Sequence, residues 1–332
     1  MILNIKEDID TVIRNLNTSL FEGKTVLITG GAGFLGSFIC DVLVKIGASV
    51  ICVDNFASGL QQNIENIQGN KNFRLIKQDV SESLTIEEPV DYVMHLASRA
   101  SPLEFNVFPI QILTSNTLGT INALEVAKKN DAKFLFTSTS EVYGKASIYP
   151  TPESYWGNVN TLGIRGCYDE AKRAGEALCM AYFRQYKVNV RIVRIFNTYG
   201  PRMRSDGIYG RVIPRFLNQA LNNEPISIFG DGSQTRSFCY VTDQVEGLLN
   251  FISADNSCRG EVINIGNPEE HTIIKLADMI KNITNSSSLF EYHPLPADDP
   301  MKRVPDITKA RQLLNWSPKI SIMEGLEKML NC

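Results

Sequence analysis

The sequence has no long apolar run, few histidines and no closely spaced cysteine pair. Without a stretch of about 18 or more apolar residues, we expect no membrane-spanning helix. The seven cysteines are odd in number, scattered and form no C-x-x-C motif, which indicates reduced thiols and a cytoplasmic location. The three histidines lack metal-ligand spacing, so no metal site is expected.

The sequence also lacks an excess of charge of either sign. It has 33 basic and 36 acidic residues, which favours no basic surface for nucleic acid. The first 24 residues have no basic region, apolar core or small-residue cleavage site, so no signal peptide is expected. Apolar residues between Ile5 and Leu16 recur at helical spacing instead, and they predict a short helix packed on the domain or on a partner subunit.

Short apolar runs alternate with helix-length segments from residue 24 onward. Six runs predict buried strands: KTVLITG, SVICVD, FRLIKQD, YVMHLAS, KFLFTSTS and VRIVRIF. Between several of them lie predicted helices: GSFICDVLVKIG, NTLGTINALEVAKKN and YDEAKRAGEALCMAYFRQY. This alternation predicts an α/β fold with a doubly wound parallel sheet and helices on both faces.

After residue 197 the sequence changes character, because loops with glycine and proline become frequent. We expect a smaller, mixed α/β domain formed by residues 198–236 and 265–332. The larger domain would comprise residues 1–197 and 237–264, since FCYVTDQVEGLLNFIS predicts one more strand and helix that return to it.

The stretch VLITGGAGFLGS places Gly30, Gly33 and Gly36 between the first strand and the next helix. Glycines there permit a tight turn and let the backbone approach a pyrophosphate at the helix N-terminus. In this context the G-x-x-G-x-x-G spacing predicts a dinucleotide site. Asp54 ends the second strand, where a carboxylate accepts the ribose hydroxyls and repels a 2′-phosphate, so NAD is favoured over NADP.

Two more strand ends extend this site. Asp79 follows the third strand, where it would reach the adenine or remain an ordinary surface aspartate. The HLAS motif ends the fourth strand beside the expected nicotinamide, and its His95 is expected to be a satisfied, half-buried side chain rather than a catalyst. The predicted cofactor residues are Gly30, Gly33, Phe34, Leu35, Gly36, Asp54, Asn55, Asp79, Val80, Leu96, Ala97, Ser98, Asn116, Tyr168 and Lys172.

The motif CYDEAK places Tyr168 and Lys172 four residues apart, on one face of a helix. The pKa of a free phenol is about 10, so it must be lowered by roughly three units, which costs ~4 kcal/mol, before the phenol can act as a base near pH 7. One cation ~5 Å away supplies about 3 kcal/mol at an effective dielectric constant of ~20. Lys172 and a positively charged nicotinamide ring together would therefore make Tyr168 a catalytic base.

The order of these motifs resembles the extended short-chain dehydrogenases/reductases of the nucleotide-sugar type. The glycines, Asp54, the hydroxyl-ended strand, Tyr-x-x-x-Lys and RIFNTYGPRM follow that family's order from about residue 24 onward. The resemblance implies a Rossmann domain that binds NAD and a smaller domain that binds a nucleoside-diphosphate sugar. It also implies a homodimer formed through a helix bundle.

Within that family, the stretch TSTSEVYGK discriminates between reactions. The 4,6-dehydratases have an Asp–Glu pair there, whereas the 4-epimerases usually have hydroxyls without the acid. This chain keeps Glu141 but has Ser140 in place of the aspartate, and so is similar to the UDP-glucuronate decarboxylases. A 4-epimerase is the alternative, and a 4,6-dehydratase is less favoured. The sequence departs from the decarboxylase pattern at Arg99, where proline is usual, and at Phe105.

The resemblance also implies roles for individual residues. Thr139 would bridge Tyr168 and the sugar C4 oxygen, and Ser140 would hydrogen-bond the sugar carboxylate. Glu141 would lie beside C5, where it orients the ring or relays a proton through a water. Arg303 would bind the carboxylate or stabilise an enolate. The residues implied at the nucleotide end of a UDP-sugar are Asn197, Arg211, Val212 and Arg236.

Overall fold

The strands among the described residues form one large sheet and three small ones. The structure is a computed structural model that describes residues 5–204, 211–295 and 301–331. Its strands are β1 (Thr25–Thr29), β2 (Ser49–Asp54), β3 (Phe73–Lys77), β4 (Tyr92–His95), β5 (Lys133–Thr139), β6 (Asn189–Ile195), β7 (Thr198–Tyr199), β8 (Ile226–Phe229), β9 (Thr235–Ser237), β10 (Cys239–Tyr240), β11 (Val262–Ile265), β12 (Glu270–Thr272) and β13 (Phe290–His293).

Helices pack on the large sheet and also occur between the small strands of the C-terminal part of the chain. They are α1 (Lys6–Arg14), α2 (Phe34–Lys45), α3 (Pro109–Asn130), α4 (Gly166–Tyr186), α5 (Val212–Leu221), α6 (Val241–Ser253), α7 (Ile273–Ile283), α8 (Thr308–Leu314) and α9 (Ile322–Leu330). None of the helices in the described ranges is long and apolar enough to cross a membrane.

The large sheet is parallel, with strand order β11-β6-β5-β4-β1-β2-β3. The chain builds outward from β1 in one direction through β2 and β3, and then in the other direction through β4, β5 and β6. Doubly wound sheets bind ligands where this direction changes, beyond the carboxyl ends of β1 and β4. The strand order confirms the predicted Rossmann-type fold.

The core lies on both faces of this sheet. Side chains alternate between faces along a strand, so Val26 and Ile28 of β1 pack on the face with α2 and α6, whereas Leu27 packs on the face with α3 and α4. All three are fully buried. Because both faces are covered, the strands are almost continuously apolar, which is why they were predictable as buried strands.

The N-terminal helix α1 packs on the domain, as predicted. It contacts α2 and α6. Ile9 and Val12 are buried in the core, and Tyr240 donates a hydrogen bond of 2.7 Å to Asp8. The helical spacing of the first apolar residues therefore marks a face that this domain itself covers.

Three details differ from the sequence prediction. The strand predicted in FCYVTDQ, β10, does not join the large sheet but pairs with β7, and only the following helix α6 packs on that sheet. The seventh strand of the sheet is β11, which was not predicted as a strand. Helix α3 begins seven residues before the predicted segment, with Pro109 in its first turn, a favoured position for proline.

The remaining small sheets lie in the C-terminal part of the chain. Strands β8 and β13 pair in parallel, and β9 and β12 pair antiparallel. An isolated bridge joins Thr151 to Pro305, and backbone hydrogen bonds link Thr151 to Val304 and Asp306. These contacts fix the segment that carries Arg303 next to the loop that follows β5.

Candidate active site

The glycine turn brings the start of α2 against the end of β1. Gly30 has a positive φ of 74°, and a Cβ at this position would lie 2.7 Å from the Ala97 backbone nitrogen. A Cβ at Gly36 would lie 2.2 Å from the Gly30 carbonyl oxygen. Helix α2 begins after Gly33 without a side-chain cap. The turn therefore offers backbone N–H groups and a close approach to an anion such as a pyrophosphate.

A cavity of about 360 Å³ extends from this turn along the carboxyl ends of the strands. All of the predicted cofactor residues line it except Asn116. The Asn116 side chain lies behind the wall, where it donates hydrogen bonds to Ser98 Oγ at 3.0 Å and to the Ile112 carbonyl at 2.8 Å. Asn116 stays a predicted cofactor residue, and its amide positions Ser98, which lines the cavity.

The acidic residues at this cavity suit the two ends of an adenosine. Asp54 accepts hydrogen bonds from the Ala32 and Phe56 backbone N–H groups, at 2.9 and 2.8 Å. Burial would raise the pKa of Asp79, but hydrogen bonds from Ser81 and Asn55 outweigh it and lower that pKa. The glycine turn and these carboxyl groups fit a dinucleotide with an unphosphorylated adenosine ribose.

His95 is not part of the cavity wall. It is fully buried, and its Nδ1 lies 2.7 Å from Thr29 Oγ1. Burial and then the charge of Lys172 lower its pKa to about 3. The imidazole is therefore neutral and structural, more deeply buried than expected.

A second cavity of about 910 Å³ adjoins the first. It is lined by every predicted catalytic and substrate-binding residue except Lys172, which lines the first cavity: Thr139, Ser140, Glu141, Tyr168, Asn197, Arg211, Val212, Arg236 and Arg303. Thr139 and Tyr168 line both cavities. The structure thus places the predicted reaction centre at the junction of a dinucleotide-sized groove and a larger pocket.

The turn after β5 directs Glu141 into this pocket. The strand ends at Thr139, whose Oγ1 accepts a hydrogen bond of 3.2 Å from the Glu141 N–H, and a 3-10 turn follows over Ser140–Tyr143. This local side-chain cap forces the chain out of the sheet direction immediately after the hydroxyl residues. The sequence prediction that Glu141 faces the ligand end of the strand is consistent with this geometry.

Two arginines hold the Glu141 carboxylate. Arg303 contacts both carboxylate oxygens, with its Nη2 at 2.8 Å from Oε2, and Arg165 Nη2 binds Oε2 as well. Burial would raise the pKa of Glu141, but Arg303 and Arg165 outweigh it and lower the pKa to about 2. Glu141 is therefore a fixed anion at neutral pH, which favours the orienting role over proton relay.

Arg165 was not predicted as a site residue. It immediately precedes α4, three residues before Tyr168, and its guanidinium lies 5.7 Å from the Phe105 ring centroid. The signal in the sequence was a basic residue almost one helical turn ahead of the Tyr-x-x-x-Lys motif, on the face that this motif presents. Sequence reasoning gave no reason to connect it to Glu141.

The Tyr168 phenol is buried against Phe105, with ring centroids 5.4 Å apart and planes 17° from parallel. Burial raises its pKa to about 12, although a hydrogen bond with Thr139 and the charge of Arg211 act in the opposite direction. Lys172 donates a hydrogen bond of 2.7 Å to the Thr137 carbonyl, and burial lowers its pKa to about 7. Desolvation thus dominates the pKa of the phenol here, and its lowering by Lys172 together with a nicotinamide ring stays a prediction.

Arginines and an amide surround the rest of the large pocket. Asn197 Nδ2 donates to the Ser237 carbonyl at 3.2 Å, and the buried Arg236 donates to the Thr235 carbonyl at 2.8 Å. Arg211 donates to the Ala100 carbonyl and lines both cavities, so it lies nearer to Tyr168 than expected. Arg215, which was not predicted, also lines the pocket. Guanidinium groups of this kind suit a diphosphate.

Comparison with known proteins agrees with this geometry. Residues 26–266 match the model of the NAD dependent epimerase/dehydratase family. The chain is 47% identical over 306 residues to UDP-glucuronic acid decarboxylase 1 of Arabidopsis thaliana, covering 92% of this chain and 69% of that protein. It is 48% identical over 309 residues to UDP-glucuronic acid decarboxylase 1 of Danio rerio, covering 93% and 72%.

A solved structure shows the same architecture with both ligands bound. UDP-glucuronic acid 4-epimerase from Bacillus cereus, in complex with UDP-glucuronic acid and NAD, superimposes with a TM-score of 0.82 and is 31% identical. The match covers 92% of this chain and 97% of the epimerase. The chain therefore belongs to the NAD dependent epimerase/dehydratase family, the extended short-chain dehydrogenases/reductases that its motifs resemble.

Proposed function

We propose that this protein is an NAD-dependent UDP-glucuronate decarboxylase that forms UDP-xylose. The observation that carries the proposal is Glu141, held by Arg165 and Arg303 in the pocket that also contains Tyr168. Two relatives that are 47% and 48% identical over more than 90% of this chain are UDP-glucuronic acid decarboxylases. The chain thus has both the residues for oxidation at C4 and a charged group for the neighbouring carbon.

The chemistry follows from the position of the sugar carboxylate. The glycine turn would hold NAD, which would supply reversible hydride transfer at sugar C4. The resulting C4 ketone is β to the carboxylate on C5, so loss of CO2 leaves electrons that spread into an enolate. The protein then has to hold the sugar, let C5 take up a proton and keep the ring in place for reduction.

Thr139 and Tyr168 are assigned to the C4 hydroxyl. They line both cavities, and the hydrogen bond between them would align the phenol with the C4 oxygen. Tyr168 takes the proton of that hydroxyl during oxidation and returns it during reduction. Lys172 anchors the helix of Tyr168 to β5 through the Thr137 carbonyl.

Ser140, Glu141 and Arg303 are assigned to C5 and its carboxylate. Arg303 is buried and directed at Glu141, so its charge is available beside the developing enolate. Asn197, Arg211, Val212 and Arg236 are assigned to the nucleotide end of the UDP-sugar. These assignments place the positive charges of the pocket along the three negative charges of UDP-glucuronate.

Incubation of the purified protein with UDP-glucuronate, without added NADH, tests the function. We expect CO2 and UDP-xylose in equal amounts, measured by trapping of labelled CO2 and by product NMR. A 4-epimerase is the second candidate, because the Bacillus cereus UDP-glucuronic acid 4-epimerase has the same fold. A uronic acid product with inverted C4 and no CO2 would establish that alternative and reject the decarboxylase.

We also propose a homodimer formed through a helix bundle. Exposed apolar side chains support it, since Ile110 and Leu118 of α3 are 64% and 48% exposed and Val107 precedes them at 57%. Analytical ultracentrifugation at micromolar concentration tests it, and a monomer would reject it.

The division into an NAD-binding part, 1–197 and 237–264, and a sugar-binding part, 198–236 and 265–332, is proposed on the position of the two cavities. The cytoplasmic location is proposed on the free cysteines of the described residues.

A further inference from the structure

We propose that Asn264 is a positioning residue for the reaction, because it holds both partners of the Glu141–Arg303 ion pair in place. Asn264 lies in β11, the edge strand of the large sheet that follows β6. Its side chain is fully buried, so it acts through other residues and not on a ligand. The inference rests on the proposed function, in which Glu141 and Arg303 are assigned to sugar C5.

The Asn264 amide makes three hydrogen bonds. Its Nδ2 donates to the Thr151 carbonyl at 3.0 Å and to the Asp306 carbonyl at 2.9 Å, and its Oδ1 accepts from the Tyr143 hydroxyl at 2.7 Å. Burial raises the pKa of Tyr143 to about 12, so the phenol keeps its proton and is the donor at neutral pH. An amide is suited to this place because it offers two donors and an acceptor at one end.

Tyr143 connects this amide to Glu141. It ends the 3-10 turn Ser140–Tyr143, which carries Glu141. Its ring is buried, and the Arg194 guanidinium lies 4.8 Å from the ring centroid. Because the phenol is fixed at its hydroxyl by Asn264, the far end of the turn is anchored to the edge strand of the sheet.

Thr151 and Asp306 connect the same amide to Arg303. The Thr151 N–H donates to the Val304 carbonyl at 2.9 Å, and the Asp306 N–H donates to the Thr151 carbonyl at 3.0 Å. Arg303 directly precedes Val304 in the sequence. Since Asn264 binds the carbonyls of Thr151 and Asp306, it fixes the segment that presents the Arg303 guanidinium to its carboxylate.

One buried amide thus determines how the two charged side chains face each other. Arg303 contacts both carboxylate oxygens of Glu141, and a two-point contact of this kind depends on geometry. A misplacement of about 1 Å caused by a distant residue can reduce a rate by roughly 100-fold. The affected step is the loss of CO2, where Arg303 acts, whereas oxidation at C4 depends on Thr139 and Tyr168.

Two variants test this connection. Asn264→Ala removes all three hydrogen bonds of the amide, and Tyr143→Phe removes only the one on the side of Glu141. Each is also combined with Arg303→Gln. The rate of CO2 release from UDP-glucuronate and the absorbance of reduced nicotinamide are followed in the NAD-loaded proteins, and UDP binding is measured by calorimetry.

Asn130→Ala is the matched control. Asn130 ends α3, where its Nδ2 donates to the Val126 carbonyl at 2.9 Å and its Oδ1 accepts from the Val90 N–H at 3.2 Å. It lies next to the start of β5, at the opposite end of that strand from Thr139. The control therefore loses a partly buried amide with two hydrogen bonds, away from the ion pair.

CO2 release should fall roughly 10- to 100-fold in Asn264→Ala. In Tyr143→Phe it should fall about three- to tenfold, because one hydrogen bond is lost. Reduced nicotinamide should accumulate in both variants, since C4 is still oxidised. In the Arg303→Gln background the same substitutions should cost less than about threefold, because the residue through which they act is gone. UDP binding, and CO2 release by Asn130→Ala, should change less than about threefold.

Equal losses with and without Arg303→Gln would indicate a general loss of structure and would overturn the proposal. A loss of CO2 release in Asn130→Ala as large as in Asn264→Ala would do the same. If Asn264→Ala does not fold, Tyr143→Phe makes the same comparison, and an unchanged rate of CO2 release in that variant would reject the role of Asn264.

Failure of the proposed function is recognised separately, by urea unfolding without substrate. The effect of Arg303→Gln on the free energy of unfolding should be smaller in Asn264→Ala than in the wild type, because the ion pair is already misaligned. Equal effects would reject the role of Asn264. A wild-type protein that shows this coupling but releases no CO2 would refute the decarboxylase and leave the positioning of the ion pair by Asn264 intact.

Discussion

Lys172 gives the clearest link between burial and a measurable property. Its side chain is 3% exposed, and burial lowers its pKa to about 7, whereas the amine of an unfolded chain titrates near about 10.4. Between these values the unfolded chain binds a proton that the folded protein has released. The contribution of Lys172 to the free energy of unfolding therefore rises as the pH rises from 7 towards 10.

Replacing Lys172 with methionine removes that proton while keeping an apolar chain of similar length. One proton corresponds to a maximum slope of about 1.4 kcal/mol per pH unit. Because the group is half titrated near pH 7, the wild type should gain about 2 kcal/mol relative to the variant between pH 7 and pH 9. The lost hydrogen bond to Thr137 adds an offset that does not depend on pH.

Urea unfolding at pH 7, 8 and 9, on protein freed of dinucleotide, measures this difference. Lys129→Met is the matched control, since Lys129 is exposed at the end of α3 and its amine is solvated in both states. The control difference should stay constant with pH. A constant difference for Lys172→Met, to within about 0.5 kcal/mol, would show that the buried amine keeps its proton and would refute the reasoning.

Three further predictions concern the same region. Tyr168→Phe should reduce CO2 release by roughly 10²- to 10⁴-fold while NAD stays bound, seen as retained absorbance at 260 nm, and an active variant would exclude the phenol as the base. Asp169 has a raised pKa of about 7, so its contribution to the free energy of unfolding is lost as the pH rises from 4 to 7. In urea unfolding, the free energy of unfolding of Asp169→Asn should therefore rise by about 3 kcal/mol relative to that of the wild type over this pH range. A difference between the two proteins that does not change with pH would contradict this. Gly36→Ala should abolish NAD binding, measured by calorimetry, because its Cβ would lie 2.2 Å from the Gly30 oxygen; Gly33→Ala, whose Cβ would lie 3.2 Å from the same atom, should lose much less, and equal losses would argue against a steric cause.

The sheet and the glycine turn were predictable because each leaves a local pattern. Strands covered on both faces are nearly continuous apolar runs, and the tight turn requires glycine where Gly30 and Gly36 approach neighbouring backbone. Strand β11 left a weaker pattern, since only four residues, Val262–Ile265, form it and Asn264 interrupts the apolar run. The Asn264 amide is buried because it donates to the Thr151 and Asp306 carbonyls, which the sequence does not show.

The position of Glu141 was predictable, but its partners were only partly so. A carboxylate directly after a hydroxyl-ended strand had to lie at the ligand edge of the sheet, and the resemblance supplied Arg303. The pairing with Arg165 joins residues 24 apart through a loop without periodic pattern, so only the folded structure shows it. The hydrogen bond from Asn116 to Ser98, a residue of the cavity wall, is likewise visible only in the folded structure.

The pKa of the Tyr168 phenol was the property of the site that was least predictable from the sequence. The sequence estimate set the charge of Lys172, about 3 kcal/mol, and that of a nicotinamide ring against the ~4 kcal/mol needed to bring a free phenol to pH 7. Burial raises the pKa of this phenol to about 12, so the requirement becomes roughly five units, ~7 kcal/mol. Lys172 itself is only partly charged near pH 7. The Tyr168 pKa of about 12 already includes the lowering by Arg211, which lines both cavities. Further positive charge, such as that of a nicotinamide ring, would therefore have to act on the phenol during the reaction. Arg211, which the sequence assigned to the nucleotide, thus also acts on the pKa of Tyr168, because the two cavities meet at the phenol.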